Sequence, residues 1–163
     1  MAKKGDCMNI RRAGAEDLPG VNSLLRQVLM VHHNGRPDLF RADAKKYTDG
    51  QLLEIFADDK RPVFVGVDGN NNVLGYAFCV YEEYENDNIL TDRKTLYIDD
   101  ICVDENTRGK KVGKQIYEYV CDFAKNNGFY NVTLNVWSCN PGAMKFYEKM
   151  GLVPYKIGME KIL

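Results

Sequence analysis

The chain has 163 residues, of which 45% are hydrophobic and 28% are charged, and its formal net charge is −1. This length and composition suit a single globular domain over residues 1–163. A charge near zero gives no basic field for nucleic acid, no apolar run approaches the roughly 18 residues of a membrane span, and no signal peptide follows Met1. We therefore expect a cytoplasmic protein with no nucleic-acid or membrane partner.

The cysteines give no sign of a metal site or a disulfide framework. They are odd in number, widely spaced and form no CxxC pair, so we expect reduced thiols and no metal. The five are Cys7, Cys79, Cys102, Cys121 and Cys139.

The first part of the chain predicts a strand followed by a helix. Residues 9–13 have the pattern of a short strand, and the apolar spacing over 17–30 predicts an amphipathic helix. Residues 32–38 are rich in helix breakers and predict a loop, and a weaker helix is expected over 50–56.

The middle of the chain predicts a β-hairpin and a further strand. Strands are expected over 62–67 and 73–81, joined by a turn of Asp, Gly and Asn residues. The acidic residues 82–87 predict a loop, and a strand is expected over 95–103. The acidic loop is either an acidic rim for a polycationic substrate or an ordinary solvated segment.

The last third of the chain predicts alternating helices and strands. A long helix is expected over 112–126, a strand over 131–137, a short helix over 140–150, and one or two closing strands over 152–163. This order indicates an α/β fold with a mixed sheet and helices on its faces, in which the later strand-helix-strand units favour parallel neighbours.

One segment, residues 101–114, passes from a strand through a short loop directly into a helix. The first amides of a helix lack internal partners and carry the positive end of the helix dipole, so they can hold a pyrophosphate. Gly109 and Gly113 allow close backbone approach, and Arg108, Lys110 and Lys114 add positive charge. The alternative is an ordinary solvated basic helix start.

This segment resembles the coenzyme-A signature of the GNAT superfamily of N-acetyltransferases. Arg108 and Gly113 match the signature, whereas Lys111 stands where the family has its middle glycine. Residues 134–152 resemble a second family pattern of strand, Asn140, helix, Phe-Tyr-Glu and glycine. The resemblance implies a mixed, mostly antiparallel sheet in which two splayed parallel strands form the coenzyme A cleft.

The resemblance also implies an activity and its site. It implies acetyl-CoA as cosubstrate and a primary amine as acceptor, with Tyr147 as the general acid that protonates the leaving thiolate. A homodimer is the expectation for the family, although no residue decides the oligomeric state. The residues implied to hold the cofactor are Ile101, Cys102, Val103, Arg108, Gly109, Lys110, Lys111, Val112, Gly113, Lys114 and Asn140.

Asp99 and Asp100 are candidates for removing a proton from the incoming ammonium, a task that a water chain could also perform. Adjacent residues of a regular strand face opposite sides, so at most one should point into the cleft unless a bulge redirects the other. Relatives with acidic pairs here include polyamine acetyltransferases, which favours a cationic small acceptor. A solvated pair that protects a strand edge is the alternative.

Three further features have open interpretations. His32 and His33 are either exposed loop residues or bases near the acceptor. Residues 36–40 either close over a substrate or form a turn with Leu39 and Phe40 in the core. Cys139 lacks an evident activating group, which favours direct transfer over an acyl-cysteine. Finally, Lys111 leaves open an alternative function, a coenzyme-A-binding sensor or interaction module without catalysis.

Overall fold

A computed structural model describes residues 8–163, so Cys7, one of the five predicted thiols, lies outside the described residues. Strands and helices alternate along the chain as an α/β fold. The elements are β1 (Asn9–Arg12), α1 (Leu18–Gly35), α2 (Asp49–Ala57), β2 (Val63–Val67), β3 (Val73–Tyr84), β4 (Arg93–Val103), α3 (Val112–Asn126), β5 (Asn131–Leu134) and α4 (Pro141–Lys149), with short 3-10 turns at Ala15–Asp17 and Glu105–Thr107.

The sheet has the strand order β1-β2-β3-β4-β5 and is mostly antiparallel. The exception is the pair β4 and β5, which are parallel and paired from Thr95 opposite Asn131 to Ile98 opposite Leu134. Beyond Ile98 strand β4 continues to Val103 without β5 beside it, so the sheet opens at this point. The mixed sheet and its two parallel strands that separate are therefore confirmed.

Two apolar clusters pack on the sheet, one on each face. On one face α1 and α2 bury Val21, Leu24 and Leu52 against the strands. On the other face α3 buries Ile116 and Val120. Each buried aliphatic side chain contributes about 1.5–3 kcal/mol of hydrophobic free energy, so both clusters stabilise the sheet that carries the site.

A glycine lets α3 approach the sheet closely. A Cβ atom on Gly75 of β3 would lie 2.7 Å from Ile116 Cδ1 and 2.9 Å from the carbonyl oxygen of Cys102. Its neighbour in the sheet is Gly66 of β2, so Ile116 packs over a pair of residues without side chains. This contact fixes the first turns of α3 against β3 and β4, next to the loop that the sequence identifies as a cofactor site.

Two predicted loops are regular structure. Helix α1 continues through His32 and His33 to Gly35, and the amide of Arg36 still donates to the carbonyl of His32 at 2.8 Å. The loop predicted over 82–87 begins only after Tyr84, because β4 starts earlier than expected and supplies partners for the acidic residues. Glu83 faces Lys94 across the strand pair, and such opposite charges stabilise a sheet.

The end of the chain differs most from the prediction. Strand β5 ends at Leu134 instead of residue 137, where the chain turns toward α4. No strand forms over 152–163, and residues 153–163 are all exposed. The strand prediction was wrong for this segment within one chain, because no described strand lies beside it to accept its backbone hydrogen bonds.

Candidate active site

The loop between β4 and α3 is held by hydrogen bonds from both ends. The Asp104 amide donates to the carbonyl of Leu74 at 2.8 Å, and the Asp104 carboxylate accepts from the amide of Asn106 at 2.7 Å. From α1, the side-chain oxygen of Gln27 accepts the amide of Glu105 at 3.1 Å. These bonds fix where the backbone enters the basic segment that follows.

The basic segment ends in a strained residue that begins α3. Gly109 and Lys111 have positive φ angles of 83° and 63°, a region that non-glycine residues rarely adopt. Lys111 is the N-cap of α3, and it provides no side-chain hydrogen bond to the helix. A backbone requirement for the left-handed conformation explains why the family signature has glycine here, and the exposed Lys111 side chain meets that requirement at a cost.

The amides at the start of α3 are available to a ligand. The first backbone bond of the helix runs from the amide of Gln115 to the carbonyl of Lys111 at 3.0 Å. Among the described residues, no acceptor caps the amides of Val112, Gly113 and Lys114. Unpaired amides at a positive helix end, flanked by exposed Arg108 and Lys110, fit the pyrophosphate of coenzyme A.

Gly113 contributes to packing as well. A Cβ atom there would lie 3.2 Å from Val103 Cγ2 and 3.5 Å from the ring of Phe146. The glycine therefore brings three elements together: the first turn of α3, the end of β4 and helix α4.

A β-bulge in β4 turns Asp99 and Asp100 toward one face of the sheet. The register shifts there, because Phe78 pairs with Asp100 while the next residue of β3, Cys79, pairs with Ile98. Asp99 is thus the extra residue. Ile98 and Ile101 both pack in the cluster under α3, although a regular strand would put residues three apart on opposite faces. The bulge considered in the sequence analysis is confirmed.

Both carboxylates face one ammonium group. Lys46, from the segment between α1 and α2, donates to the Asp99 carboxylate at 3.0 Å, and its Nζ lies 3.8 Å from that of Asp100. The buried Tyr76 hydroxyl also donates to Asp100, at 2.9 Å. The two acidic residues are therefore not a pair divided between solvent and core, and they form a cation-binding arrangement.

Burial and charge shift the pKa values in this cluster in opposite directions. Burial raises the pKa of Asp100, although the attraction of Lys46 and the hydrogen bond from Tyr76 counteract this effect. Burial lowers the pKa of the Lys46 ammonium, but the attraction of Asp100 and the bond to Asp99 outweigh burial, so the net pKa is raised. Lys46 is therefore charged over the physiological range.

Tyr147 lies on α4 with a mostly buried hydroxyl environment. Burial raises the pKa of its phenol well above the usual range, and the negative charge of Asp100 raises it further. The phenol is therefore protonated at any ordinary assay pH. Its helix begins at Asn140, whose side-chain oxygen accepts the amide of Ala143 at 3.2 Å. Asn140 thus has a structural role as an N-cap, which leaves its side-chain nitrogen for another partner.

An aromatic cluster borders the acidic pair. His32 packs on Phe40 with ring centroids 5.0 Å apart, and Phe40 meets the edge of Trp137 at 5.2 Å. Burial lowers the pKa of His32, and the Lys46 charge also lowers it, whereas Asp100 raises it. His33 is occupied differently, because its Nδ1 lies 2.7 Å from the carbonyl oxygen of Phe40.

The segment 36–40 matches neither prediction fully. Leu39 is exposed, so it is not a core residue, whereas Phe40 is packed in the aromatic cluster. In the predicted acidic rim, Glu83 pairs with Lys60 at 2.8 Å, and Asp87 accepts amides within its own loop. These acidic side chains have local partners, as the interpretation of a solvated segment predicts.

Three residues of the cluster were missed by sequence reasoning: Lys46, Tyr76 and Phe40. Lys46 lies in a polar region without periodicity, and Tyr76 has the pattern of an ordinary strand residue. Only the single tryptophan, Trp137, is rare enough in this chain to have drawn attention to the aromatic cluster.

Comparison with known proteins agrees with this geometry. The model of the acetyltransferase (GNAT) family matches residues 30–152, which include the bulge, the basic loop and α4. The chain belongs to the GNAT family. It is 32% identical to a glucosamine 6-phosphate N-acetyltransferase of Arabidopsis thaliana over 53% of this chain and 64% of that protein, so the chain spans less than two thirds of that relative's length.

Two GNAT relatives match over most of the chain. A thialysine N-epsilon-acetyltransferase of Bos taurus is 27% identical over 92% of this chain and 80% of its own length. The solved structure of the BH1408 protein of Bacillus halodurans has a TM-score of 0.91 and 30% identity, covering 96% of this chain and 99% of that one. The GNAT fold therefore extends over nearly all of the described residues.

Two structural searches complete the description of this GNAT chain. Within residues 8–163, no cluster of three or more His, Cys, Asp or Glu side chains is arranged to hold a metal ion. No helix in that same part is long and apolar enough to cross a membrane. The cytoplasmic location remains a prediction of the sequence.

Proposed function

We propose that this GNAT protein is an acetyl-CoA-dependent N-acetyltransferase that acetylates a primary amine of a cationic small molecule. One observation carries the proposal. The bulge in β4 directs two carboxylates at one ammonium group, beside the point where β4 and β5 separate.

The cofactor half of the site consists of the end of β4 and the start of α3. Acetyl-CoA supplies the acetyl group as an activated thioester. The amides of Val112, Gly113 and Lys114 would bind its pyrophosphate, with Arg108 and the neighbouring lysines neutralising charge. The backbone of 101–103, which lacks a β5 partner, would hydrogen-bond the pantetheine arm with help from Asn140.

The acceptor half of the site consists of the acidic pair and its aromatic border. Lys46 occupies the position that we assign to an ammonium group of the acceptor, so a cationic substrate would displace it. Two carboxylates that bind a lysine ammonium at 3.0 and 3.8 Å suit a second amine of the same chemistry. The rings of Phe40 and Trp137 would cover the hydrocarbon part of such a substrate.

Proton handling would be divided between the two halves. The attacking amine has to lose a proton, and Asp100 or Asp99, directly or through water, would accept it. A carboxylate with a raised pKa is a better base than an ordinary one, which favours Asp100. Tyr147 would donate its proton to the leaving thiolate, and the amine would attack the thioester directly in a ternary complex without an acyl-cysteine.

Calorimetric titration with acetyl-CoA and coenzyme A tests the cofactor half. We expect micromolar binding, lost in Gly113→Glu because the new side chain blocks the helix amides. Lys125→Glu is the matched control, since it adds the same acidic group at the far end of α3. Circular dichroism verifies that both variants are folded. Absence of binding by the natural chain would refute an acetyl-CoA enzyme.

Thiol release across a panel of amines tests the acceptor half. The panel includes diamines, polyamines, an aminoglycoside, lysine analogues and glucosamine 6-phosphate. We expect the highest kcat/KM for amines with a second cationic centre. A preference for the phosphorylated sugar would contradict the cationic acceptor while leaving the acetyltransferase activity intact.

The alternative function is a coenzyme-A-binding module without catalysis. Lys111 is the observation that favours it, because its strained conformation occupies the position of the family's glycine. Tight coenzyme A binding together with no thiol release from any amine would select this alternative.

A further inference from the structure

The C-terminal segment, residues 153–163, leaves an extended apolar surface in water. It follows α4 after Gly151, which has a φ angle of 88°, and it has no strand partner among the described residues. Its exposed large side chains are Val153 (78%), Tyr155 (65%), Ile157 (79%), Met159 (90%), Ile162 (77%) and Leu163 (108%). A monomer would gain nothing from presenting so much apolar area to solvent.

The sequence of this segment has the period of a strand. Apolar side chains occupy every second position from Val153 to Met159, whereas Pro154, Lys156 and Gly158 lie between them. Such alternation gives one apolar and one polar face, typical of a strand that packs on one side only. The segment thus has the chemistry of a strand and no sheet to join.

Local contacts fix both ends of the segment. Next to α4, the amide of Leu152 donates to the carbonyl of Tyr147 at 3.1 Å, and Leu152 packs in the cluster under α3. Near the other end, Glu160 forms an ion pair with Arg36, at the C-terminal end of α1. Held in this way, the segment does not pair with the β5 strand of its own chain.

The sheet has an open edge of matching chemistry. Strand β5 is hydrogen-bonded to β4 on one side, and no described strand covers its other side. Its sequence, Asn-Val-Thr-Leu, is rich in residues that favour strands, and exposed Tyr130 lies next to it. The opposite edge, β1, carries Arg11 and Arg12, and charged residues discourage strand addition.

We infer that residues 153–163 form a strand on the β5 edge of a second copy of this chain. Each copy would give its C-terminal segment and receive that of its partner, so a two-fold axis closes the assembly. The occupant of the edge is then the same segment whose apolar face lacks cover. This contact makes the homodimer of the sequence analysis specific, and it lies on the strand that forms one wall of the cofactor cleft.

Light scattering after size exclusion tests the assembly. The full chain should have twice the mass of one chain, and a chain ending at Leu152 should be monomeric. Ile157→Asp should shift the dimer dissociation constant upward at least tenfold. Lys156→Asp, the matched control, changes the charge more but lies on the other face, and it should remain dimeric. A monomeric full chain, or a dimer that persists without the segment, would overturn the inference.

Isotope-mixed cross-linking distinguishes exchange from folding back onto the same chain. Chains with natural nitrogen and with ¹⁵N are refolded together and treated with a lysine-reactive reagent. Links from Lys156 or Lys161 to Lys94, which lies beside β5, should include pairs with one chain of each isotope. If every such link joins lysines of one isotope, the segment pairs with its own chain and exchange is refuted.

Discussion

At the scale of single residues, Tyr147 has a proton that the solvent cannot easily remove. Burial raises its pKa above the ordinary value of 10.0. We expect Tyr147→Phe to lower kcat about 100-fold, the lower range for loss of general acid catalysis, with the coenzyme A dissociation constant unchanged. Tyr119→Phe, on the exposed side of α3, is the control. Steady-state kinetics and calorimetry measure the two effects.

The same substitution has a second readout. Because the phenol holds its proton, the natural enzyme should show no loss of rate that depends on Tyr147 below about pH 10. If turnover of Tyr147→Phe at saturating substrates equals that of the natural chain, Tyr147 has no part in the reaction.

Lys46 is the residue whose removal separates a competitor from a binding group. If the acceptor is cationic, Lys46→Met frees the carboxylates and lowers KM for a diamine about twofold to fivefold, the range expected for a partly exposed ion pair. Lys45→Met is the control, since Lys45 pairs with Asp49 away from the acidic pair. A higher KM would show that Lys46 itself binds the acceptor, through an anionic group.

The position of Lys46 also shows where reading the sequence stops. Asp99 and Asp100 could be identified because two acidic residues interrupt an apolar strand. Their common partner could not, since it lies more than fifty positions earlier in a segment without periodicity. Only the fold brings that segment across the end of the sheet.

At the scale of elements, the start of α3 combines strain with function. Lys111 adopts a left-handed conformation that costs about 1 kcal/mol in a residue with a Cβ atom. Lys111→Gly should therefore raise the free energy of unfolding by about 1 kcal/mol. It should also weaken coenzyme A binding several-fold at low salt, because one positive charge is lost near the phosphates. Urea unfolding and calorimetry measure these changes.

Lys110→Gly is the matched control for this prediction. Lys110 has no positive φ angle, so the substitution removes the same charge without relieving strain. It should weaken coenzyme A binding and leave stability unchanged or lower. Equal effects of both substitutions on stability would contradict the assignment of strain to Lys111.

The elements were predicted best where a chain segment satisfies itself. The helix over 112–126 has exactly these bounds in the structure, because its apolar stripe and its ending residues are local features. Helix α1 overran its predicted end because neither Asn34 nor the Gly35 that closes it excludes helical backbone. The strands predicted over 152–163 failed for a different reason, since a strand requires a partner that sequence periodicity does not name.

At the scale of the whole molecule, the two faces of the sheet have different parts in the proposed site. The acidic pair, Tyr76 and Lys46 lie on the face covered by α1 and α2, whereas α3 covers the other face. The two meet where β4 continues past the end of β5. The family signature could be identified from local sequence, but this meeting point depends on a one-residue bulge and a strand length that only the assembled sheet defines.

The buried carboxylate of Asp100 connects the site to the stability of the whole chain. Its pKa is raised above the ordinary 3.8, so the folded state keeps the Asp100 proton to a higher pH than the unfolded state does. The resulting stability is present below pH 3.8 and is lost as the pH rises through the folded pKa. The loss amounts to about 1.4 kcal/mol for each unit of raised pKa.

Asp100→Asn should remove this dependence, because asparagine still accepts the Tyr76 hydroxyl and does not titrate. Relative to the variant, the natural chain should lose stability between about pH 4 and pH 7 in urea unfolding. His32, which also faces Asp100 and titrates in this range, is present in both proteins and largely cancels.

Lys46→Met sharpens the test, because loss of its charge raises the pKa of Asp100 further and extends the fall in stability to higher pH. A difference between the natural chain and Asp100→Asn that stays constant from pH 4 to 8 would mean that Asp100 does not titrate there. The proton acceptor would then have to be Asp99 or water, since a carboxylate of ordinary acidity gains no advantage as a base from burial.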